Sequence, residues 1–234
     1  MPPSIDSLDL PPFKPRFPWW GPDLQTIAVL LTGAGATDLA PHTSERMAFP
    51  MADRTGEILL GMLDRPAQPV ADRPLVLLIH GLTGSEDSFY MLNAARHLLD
   101  SGYSVLRLNM RGSGPSRPYC REHYHLGRTA DFRRVLSQLP EDLTDNGMVA
   151  VGYSLGGAVL LKYLGEEGSF SPLRGAATIC APIDLLRNCT HMSRTRNWLY
   201  QAYLLNDMKA EALAPGALTS PEERKIIKVA RSVR

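Results

Sequence analysis

Apolar and polar residues alternate in blocks along the chain, and the block lengths are those of strands and helices. Residues 44–64 form two short segments joined by a turn at Asp53–Gly56, a pattern that predicts an antiparallel strand pair. The continuous apolar run Leu75–Ile79 comes next and is typical of a parallel strand buried on both faces. This part of the chain therefore predicts a strand pair and then a central strand.

Strands and helices alternate after this central strand. Phe89–Leu99 has apolar residues at helical spacing and is followed by Gly102, which suits the position after a helix. The patterns predict three more strands and three more helical segments: Val105–Asn109, Met148–Gly152 and Gly175–Cys180, then Thr129–Leu139, Ala158–Leu164 and a region from Asp184 to about Met208. Because parallel strands need crossover helices, the alternation predicts a doubly wound, mostly parallel α/β sheet whose four later strands are adjacent.

Glycine-rich turns gather at one edge of this predicted sheet. Gly81–Ser85, Gly112–Ser116, Ser154 and Asp184 each follow a predicted strand. In parallel α/β sheets, ligands bind at the carboxyl ends of the strands. We therefore expect the functional site at this edge.

The segment Gly152–Gly157, Gly-Tyr-Ser-Leu-Gly-Gly, has the pattern of a nucleophile elbow. Such a turn holds a serine at the end of a strand in a strained conformation, and larger residues beside it would collide with the neighbouring strand and helix. The alternative is a glycine-rich loop in an ordinary β-α unit. The flanking strand and helix favour the elbow, with Ser154 as catalytic nucleophile and Gly152 and Gly156 as its small neighbours.

Negative charge that develops beside an elbow serine is stabilised by two backbone N–H groups, the oxyanion hole. The predicted donors are Leu155, directly after the serine, and Leu82, in the loop after the central strand. The positive end of the helix after Ser154 would add to this stabilisation. We expect His80 to orient the loop around Leu82, and the alternative for this loop is a plain strand-to-helix turn.

A serine hydroxyl becomes a nucleophile when a base accepts its proton and an acid orients that base. His191 is the only histidine after Ser154, and the acids there are Asp184, Asp207, Glu211, Glu222 and Glu223. Asp184 and His191 are too close in sequence for separate loops, and Asp184 is better suited to cap the following helix. The pattern therefore predicts a nucleophile and an oxyanion hole without a convincing base.

Two further segments carry expectations. Arg117–Arg128 is predicted to be a polar loop, in which His123 and His125 are structural or surface residues. At the N-terminus, residues 1–16 form a proline-rich irregular arm, and Trp19 and Trp20 precede a short helix that runs through Leu31 and can end at Gly33. We expect these tryptophans to pack onto the protein body; the alternative is a wall of a substrate pocket.

The final helix has a clear start, because Ser220, Pro221 and Glu223 form a capping box with proline at the first position. Its apolar face is formed by Ile226, Ile227, Ala230 and Val233. The helix reaches Arg234 without a following strand. We therefore expect the domain to be incomplete at its C-terminal end.

Composition and charge exclude several functional classes. The 234 residues suffice for one large domain, with 44% hydrophobic and 21% charged residues. A net charge of +1 predicts no nucleic-acid partner, and neither a membrane span nor a secretory signal is visible. Cys120, Cys180 and Cys189 lack metal-site spacing and are typical of reduced thiols. We therefore expect a cytoplasmic protein without a metal or cofactor.

Four parts of the sequence resemble the YheT-like branch of the α/β-hydrolases. They are Phe17–Trp20 with Leu24–Ile27, His80–Ser85, Asn109–Gly114 with Tyr124–Asp131, and Gly152–Gly157. The resemblance covers most of residues 13–234 and implies an α/β-hydrolase fold and a carboxylic ester hydrolase, esterase- or lipase-like, that forms an acyl-enzyme on Ser154. Eukaryotic relatives in this branch act on phospholipid or medium-chain acyl esters, so acyl transfer to alcohols is an alternative.

The family places its acid and histidine on loops after two further strands, beyond Arg234. The resemblance therefore implies that residues 17–234 are an α/β-hydrolase domain lacking its last strands, with a helical cap-like region at about 185–218. We expect residues 1–234 alone to have little or no esterase activity. The competing hypothesis is a non-catalytic α/β-hydrolase-like protein that binds an acyl ligand or a partner. Aromatic residues without a basic cluster favour a neutral acyl ester as the small-molecule substrate; these are Trp19, Trp20, Tyr119 and Tyr124.

Overall fold

The computed structural model describes residues 12, 14–32, 39 and 42–232 and divides the chain into two compact units. The first unit, residues 1–36, contains helix α1 at Pro22–Thr32. In this unit the rings of Phe17 and Trp20 meet edge to face, with centroids 5.2 Å apart. Most of the predicted arm at residues 1–16 lies outside the described residues, as do Gly33 and Val233.

The second unit, residues 37–234, is built around a mixed sheet with six strands in its described part. The strands are β1 (His42–Pro50), β2 (Ile58–Pro66), β3 (Leu75–Ile79), β4 (Val105–Leu108), β5 (Met148–Tyr153) and β6 (Leu173–Ile179). Their spatial order is β1-β2-β4-β3-β5-β6. The pairs β1–β2 and β2–β4 are antiparallel, and the remaining neighbours are parallel. This confirms the predicted mostly parallel sheet with an N-terminal antiparallel pair.

Helices cover both faces of this sheet. Helix α2 (Phe89–Asp100) packs on one face, and α3 (Thr129–Leu136), α4 (Glu141–Thr144) and α5 (Leu155–Glu167) pack on the other. Helices α6 (Leu185–Met192), α7 (Trp198–Ala212) and α8 (Pro221–Val229) follow β6 in the chain. Side chains alternate along a strand, so β3 contributes to two cores. Val76 and Leu78 belong to the core that contains α2 residues, and Leu77 and Ile79 to the core that contains α3 and α5 residues. This explains why β3 is apolar at every position.

Several element boundaries differ from the predicted ones. Helix α3 ends at Leu136, and the predicted helical region after Asp184 divides into α6 and α7, with α7 continuing to Ala212. The segment predicted as a polar loop, 117–128, is a loop from Cys120 onward, but its first three residues belong to a 3₁₀ helix, Gly114–Tyr119, whose Arg117 is buried. Its guanidinium donates hydrogen bonds to the Cys120 carbonyl and the Thr219 hydroxyl, while the Arg117 Nε is buried without a partner among the described residues.

A buried arginine joins several loops at the site edge of the sheet. Arg111 follows β4, and its side chain is fully buried. The guanidinium donates to Asp131 at 2.6 and 2.8 Å, to Asp53 at 2.7 Å, and to Glu57. These carboxylates hold the pKa of Arg111 above its ordinary value, against the opposing effect of burial. Arg111 therefore connects the β1–β2 turn to the start of α3.

Candidate active site

Ser154 lies at the turn between β5 and α5. Its backbone φ of 48° and ψ of −118° are uncommon for a residue other than glycine. The Ser154 N–H donates to the Ile179 carbonyl at 2.8 Å, which ties the turn to β6. The Ser154 carbonyl accepts from the Ala158 N–H at 3.0 Å, which ties it to α5. The residue is exposed, so the strained turn presents its hydroxyl to solvent.

The glycines around Ser154 are required by close backbone packing. A Cβ atom at Gly152 would lie 2.6 Å from the Gly157 Cα, and one at Gly156 would lie 2.3 Å from the His80 carbonyl oxygen. Real Cβ atoms essentially never approach backbone so closely. Glycine at position 152 lets α5 leave β5 at a sharp angle, and glycine at position 156 lets α5 pass the end of β3.

The loop after β3 lies beside Ser154. Strands β3 and β5 are paired in register, with Ile79 opposite Gly152, so the segments that follow them meet at one edge. A Cβ atom at Gly81 would lie 3.1 Å from the Ser154 Cβ. The sheet thus places the predicted oxyanion loop against the predicted nucleophile.

Three consecutive N–H groups in this loop have different environments. The Gly81 N–H donates to the Tyr90 hydroxyl at 2.9 Å, and the Thr83 N–H donates to the Tyr124 hydroxyl at 2.6 Å. Within the described part of the chain, the Leu82 N–H between them has no hydrogen-bond partner. The Leu155 N–H is also unpaired among the described residues, as expected in the first turn of a helix. Two free backbone donors therefore flank the Ser154 turn.

His80 is buried at the end of β3 and connects two loops. Its Nε2 accepts a hydrogen bond from the Met110 N–H at 3.0 Å, so we assign the ring proton to Nδ1, which lies 2.7 Å from the Gly81 carbonyl. Burial lowers the pKa of His80 to about 4, and the ring is neutral at pH 7. With both nitrogens engaged, His80 orients the Gly81–Leu82 turn, which supports its predicted role.

The structure gives Asp184 and His191 separate roles. Asp184 Oδ1 accepts from the Arg187 N–H at 2.9 Å and caps α6, as the pattern predicts. His191 Nε2 instead lies 3.4 Å from Arg194 Nη1. No hydrogen bond joins the two among the described residues, and none reaches the Ser154 hydroxyl. The structure therefore does not assemble an Asp184–His191 dyad.

The two histidines of the 117–128 segment make no contact with the Ser154 hydroxyl in the described structure. His123 is half-buried, and burial lowers its pKa. His125 is exposed, and its Nδ1 accepts from the Gly127 N–H at 3.1 Å. Among the described residues, no group of three or more His, Cys, Asp or Glu side chains could hold a metal ion.

Sequence reasoning missed the importance of Tyr90, Tyr124 and Glu211. Tyr124 was expected as an aromatic contact for substrate, but it is only 8% exposed, and its hydroxyl contacts the Thr83 N–H and Glu211. Burial raises the pKa of Glu211 to about 7. Tyr124 lies in one of the segments that carry the family resemblance, and Glu211 was one of the candidate acids after Ser154, so both had a signal in the sequence. No pattern pointed to Tyr90.

Each helix in the described part of the chain is too short or too polar to cross a bilayer. The family model of the alpha/beta hydrolase fold matches residues 74–220, a range that contains Leu82 and Ser154. A solved structure of an esterase, PF2001 of Pyrococcus furiosus, is similar in fold, with a TM-score of 0.54 and 20% identity. That similarity covers 71% of this chain and 62% of the esterase.

Two curated relatives are similar in sequence. The putative esterase YheT of Escherichia coli is 32% identical over 193 residues, which are 81% of this chain and 56% of the relative. The medium-chain fatty acid ethyl ester synthase/esterase 2 of Saccharomyces cerevisiae is 40% identical over 124 residues, which are 53% of this chain and 28% of the relative. This chain thus matches little more than half of the bacterial relative and about a quarter of the yeast one.

Proposed function

This chain belongs to the α/β-hydrolase fold family, in its YheT-like branch, and we propose that it is a serine carboxylic-ester hydrolase acting through an acyl-enzyme on Ser154. The observation that carries the proposal is the exposed Ser154 turn, flanked by the unpaired N–H groups of Leu82 and Leu155 in the described structure. Esterase names among the relatives support the same reaction class.

The proposed reaction follows from this geometry. The Ser154 Oγ adds to the ester carbonyl carbon while its proton passes to a base, and the carbonyl oxygen becomes an oxyanion. The Leu82 and Leu155 N–H groups donate to that oxyanion, and the N-terminus of α5 adds a favourable dipole. The bond to the alcohol then breaks, the alcohol leaves with a proton, and water releases the acid by the same steps.

The base is the missing part of this site. No described histidine donates to or accepts from the Ser154 hydroxyl, and His80 has both ring nitrogens engaged elsewhere. We propose that a base and its orienting acid from outside residues 1–234 complete the triad. Without them the serine proton has no acceptor, so residues 1–234 alone should hydrolyse esters slowly.

The proposed substrate is a neutral acyl ester. The yeast relative is named for medium-chain fatty acid ethyl esters, which supports an uncharged ester with an alkyl chain. Its name also includes a synthase activity, which favours acyl transfer as a second candidate function. In that reaction an alcohol replaces water in attacking the acyl-enzyme.

The cellular location also stays a proposal. Cys120, Cys180 and Cys189 are free thiols in the structure. Free thiols are typical of a reducing compartment, which supports a cytoplasmic protein.

The test is a panel of p-nitrophenyl esters of increasing acyl length. We expect the protein that includes the proposed base and acid to release p-nitrophenol and its Ser154→Ala variant to lose this activity. Ser137→Ala, which removes an exposed hydroxyl after α3, is the matched control and should keep it. Equal rates in wild type and Ser154→Ala would exclude Ser154 as nucleophile. Ligand binding without any turnover would favour the non-catalytic hypothesis.

A further inference from the structure

The turn that carries the Leu82 N–H is held on both sides by tyrosine hydroxyls. Tyr90 accepts from the Gly81 N–H, and Tyr124 accepts from the Thr83 N–H. Thr83 has a φ of 58°, in the left-handed region that side chains other than glycine disfavour. A turn in this conformation persists only where its surroundings hold it. These two contacts therefore hold the backbone on both sides of the Leu82 N–H.

The Tyr124 hydroxyl is itself held in place. Its ring is buried and meets the His80 ring edge to face, with centroids 5.6 Å apart and planes at 88°. His80 contacts the Gly81 carbonyl, so the same turn is held through two adjoining side chains. Packing of the buried ring therefore fixes the position of the Tyr124 hydroxyl oxygen.

A carboxyl group from α7 completes this arrangement. The Tyr124 hydroxyl donates to Glu211 Oε2 at 3.1 Å. A tyrosine hydroxyl has one proton and accepts through its lone pairs. Because the Tyr124 proton is donated to Glu211, the lone pairs of the Tyr124 oxygen can accept from the Thr83 N–H. The contacts form a continuous chain from α7 to the turn that carries Leu82.

We propose that Tyr124 and Glu211 are positioning residues for ester hydrolysis, which set the direction of the Leu82 N–H from helix α7. The inference rests on the proposed function of Ser154 and goes beyond it. Neither residue touches the reacting atoms; both act through the Thr83 N–H. The ligand concerned is the oxyanion of the acyl ester.

The arrangement should respond to pH near neutrality. Glu211 is enclosed by Tyr124 and by Arg117, whose positive charge opposes the effect of burial, yet the pKa of Glu211 is raised to about 7. Tyr90 also lies near the Tyr124 hydroxyl. As pH rises through about 7, Glu211 becomes a carboxylate and a stronger acceptor for the Tyr124 proton. We expect the Thr83 N–H to be held more firmly above this pH.

The first test measures backbone amides by NMR on the ¹⁵N-labelled chain of 234 residues. In wild type, the Thr83 amide shift should titrate with a midpoint near pH 7, and Glu211→Gln should abolish this titration. Tyr124→Phe should speed hydrogen exchange at Thr83 by about 10-fold, in proportion to the lost hydrogen bond. Exchange at Gly81, which Tyr90 holds, is the internal control.

The second test needs no catalytic base. Octylboronic acid forms a tetrahedral anionic boronate when the Ser154 oxygen bonds to boron and the hydroxyl proton leaves to solvent, so one boronate oxygen occupies the oxyanion hole. Binding should weaken about 10-fold in Tyr124→Phe, because a misdirected donor stabilises the anion less. Tyr103→Phe, which removes a hydroxyl hydrogen-bonded to Arg73, is the matched control and should bind as wild type does.

The outcomes separate this proposal from the proposed function. Wild-type boronate affinity in Tyr124→Phe, or an unchanged Thr83 amide in both variants, would overturn the positioning role while Ser154 remains the nucleophile. Full boronate binding by Ser154→Ala would overturn the proposed function, and with it the positioning role in hydrolysis. Weaker binding in Tyr124→Phe together with faster Thr83 exchange would support the proposal.

Discussion

Gly156 of α5 and His80 at the end of β3 approach so closely that a Cβ atom at Gly156 would lie 2.3 Å from the His80 carbonyl oxygen. This contact seats the start of α5 against the central strand. It also places the Leu155 N–H and the loop containing Leu82 on the same edge of the sheet. The geometry of the proposed site thus depends on the absence of a side chain at Gly156.

Gly156→Ala should therefore destabilise the protein. The added methyl group meets backbone atoms of His80 and Ile79, which cannot move aside as a flexible side chain can. We expect a loss of about 3 kcal/mol in the free energy of unfolding, measured by urea denaturation. Gly165→Ala in the same helix is the matched control, since a Cβ there meets no atom within 4 Å. It should stabilise the protein by about 0.5–1 kcal/mol, and equal losses in both variants would contradict the argument.

The strained backbone of Ser154 gives a second prediction. At a φ of 48°, glycine is less strained than alanine, so Ser154→Gly should be more stable than Ser154→Ala by about 1 kcal/mol. Ser137, with a φ of −72°, provides the control pair. There the order should reverse, with glycine less stable than alanine by about 0.5–1 kcal/mol. Thermal unfolding of the four variants measures both differences, and the same order at both positions would show that Ser154 is unstrained.

The buried cluster around Arg111 gives a third prediction. Arg111→Met leaves Glu57 and Asp131 without their buried cation, and this should cost about 3–5 kcal/mol of stability. Arg133→Met removes a cation of similar size that pairs with Glu166 and Glu167 at the surface, 43% exposed. Arg133→Met should lower the free energy of unfolding by only about 0–1 kcal/mol in a urea denaturation experiment. Similar losses would mean that burial does not strengthen the Arg111 contacts.

Glu211 predicts how stability depends on pH. Its pKa is about 7 in the folded protein, against an ordinary value of 4.5, so the folded state binds this proton more tightly than the unfolded chain does. The stabilising contribution is complete below about pH 4.5 and is lost as pH rises to about 7. At about 1.4 kcal/mol for each unit of pKa difference, the free energy of unfolding falls by about 3 kcal/mol between these two pH values.

Urea denaturation between pH 5 and pH 8 measures this effect, and Glu211→Gln should remove it. Tyr124→Phe is the complementary variant, because the Tyr124 hydrogen bond lowers the pKa of Glu211. Its loss should move the pH window upward without abolishing it. A pH profile that is identical in wild type and Glu211→Gln would contradict the assignment to Glu211.

Local sequence determined a large part of this protein. The apolar run Leu75–Ile79 predicted the central strand, because a strand buried on both faces has no polar position. The capping box of α8 forms both of its hydrogen bonds, between Ser220 and Glu223, and Asp184 caps α6. The two caps were visible because their partners lie within three residues along the chain. The turn at Ser154 was visible because Gly152 and Gly156 lie only two residues from the serine in the sequence.

Tertiary structure alone decided which distant groups meet. Thr83 and Tyr124 are 41 residues apart, and Tyr124 and Glu211 are 87 apart, yet one hydroxyl joins them. No periodicity encodes such a meeting, because it depends on the order of strands in the sheet and on where α7 packs. The burial of Arg117 in a segment predicted to be a polar loop has the same origin. Backbone periodicity and capping act over a few residues, whereas the pairing of buried polar groups is set only when the whole chain has folded.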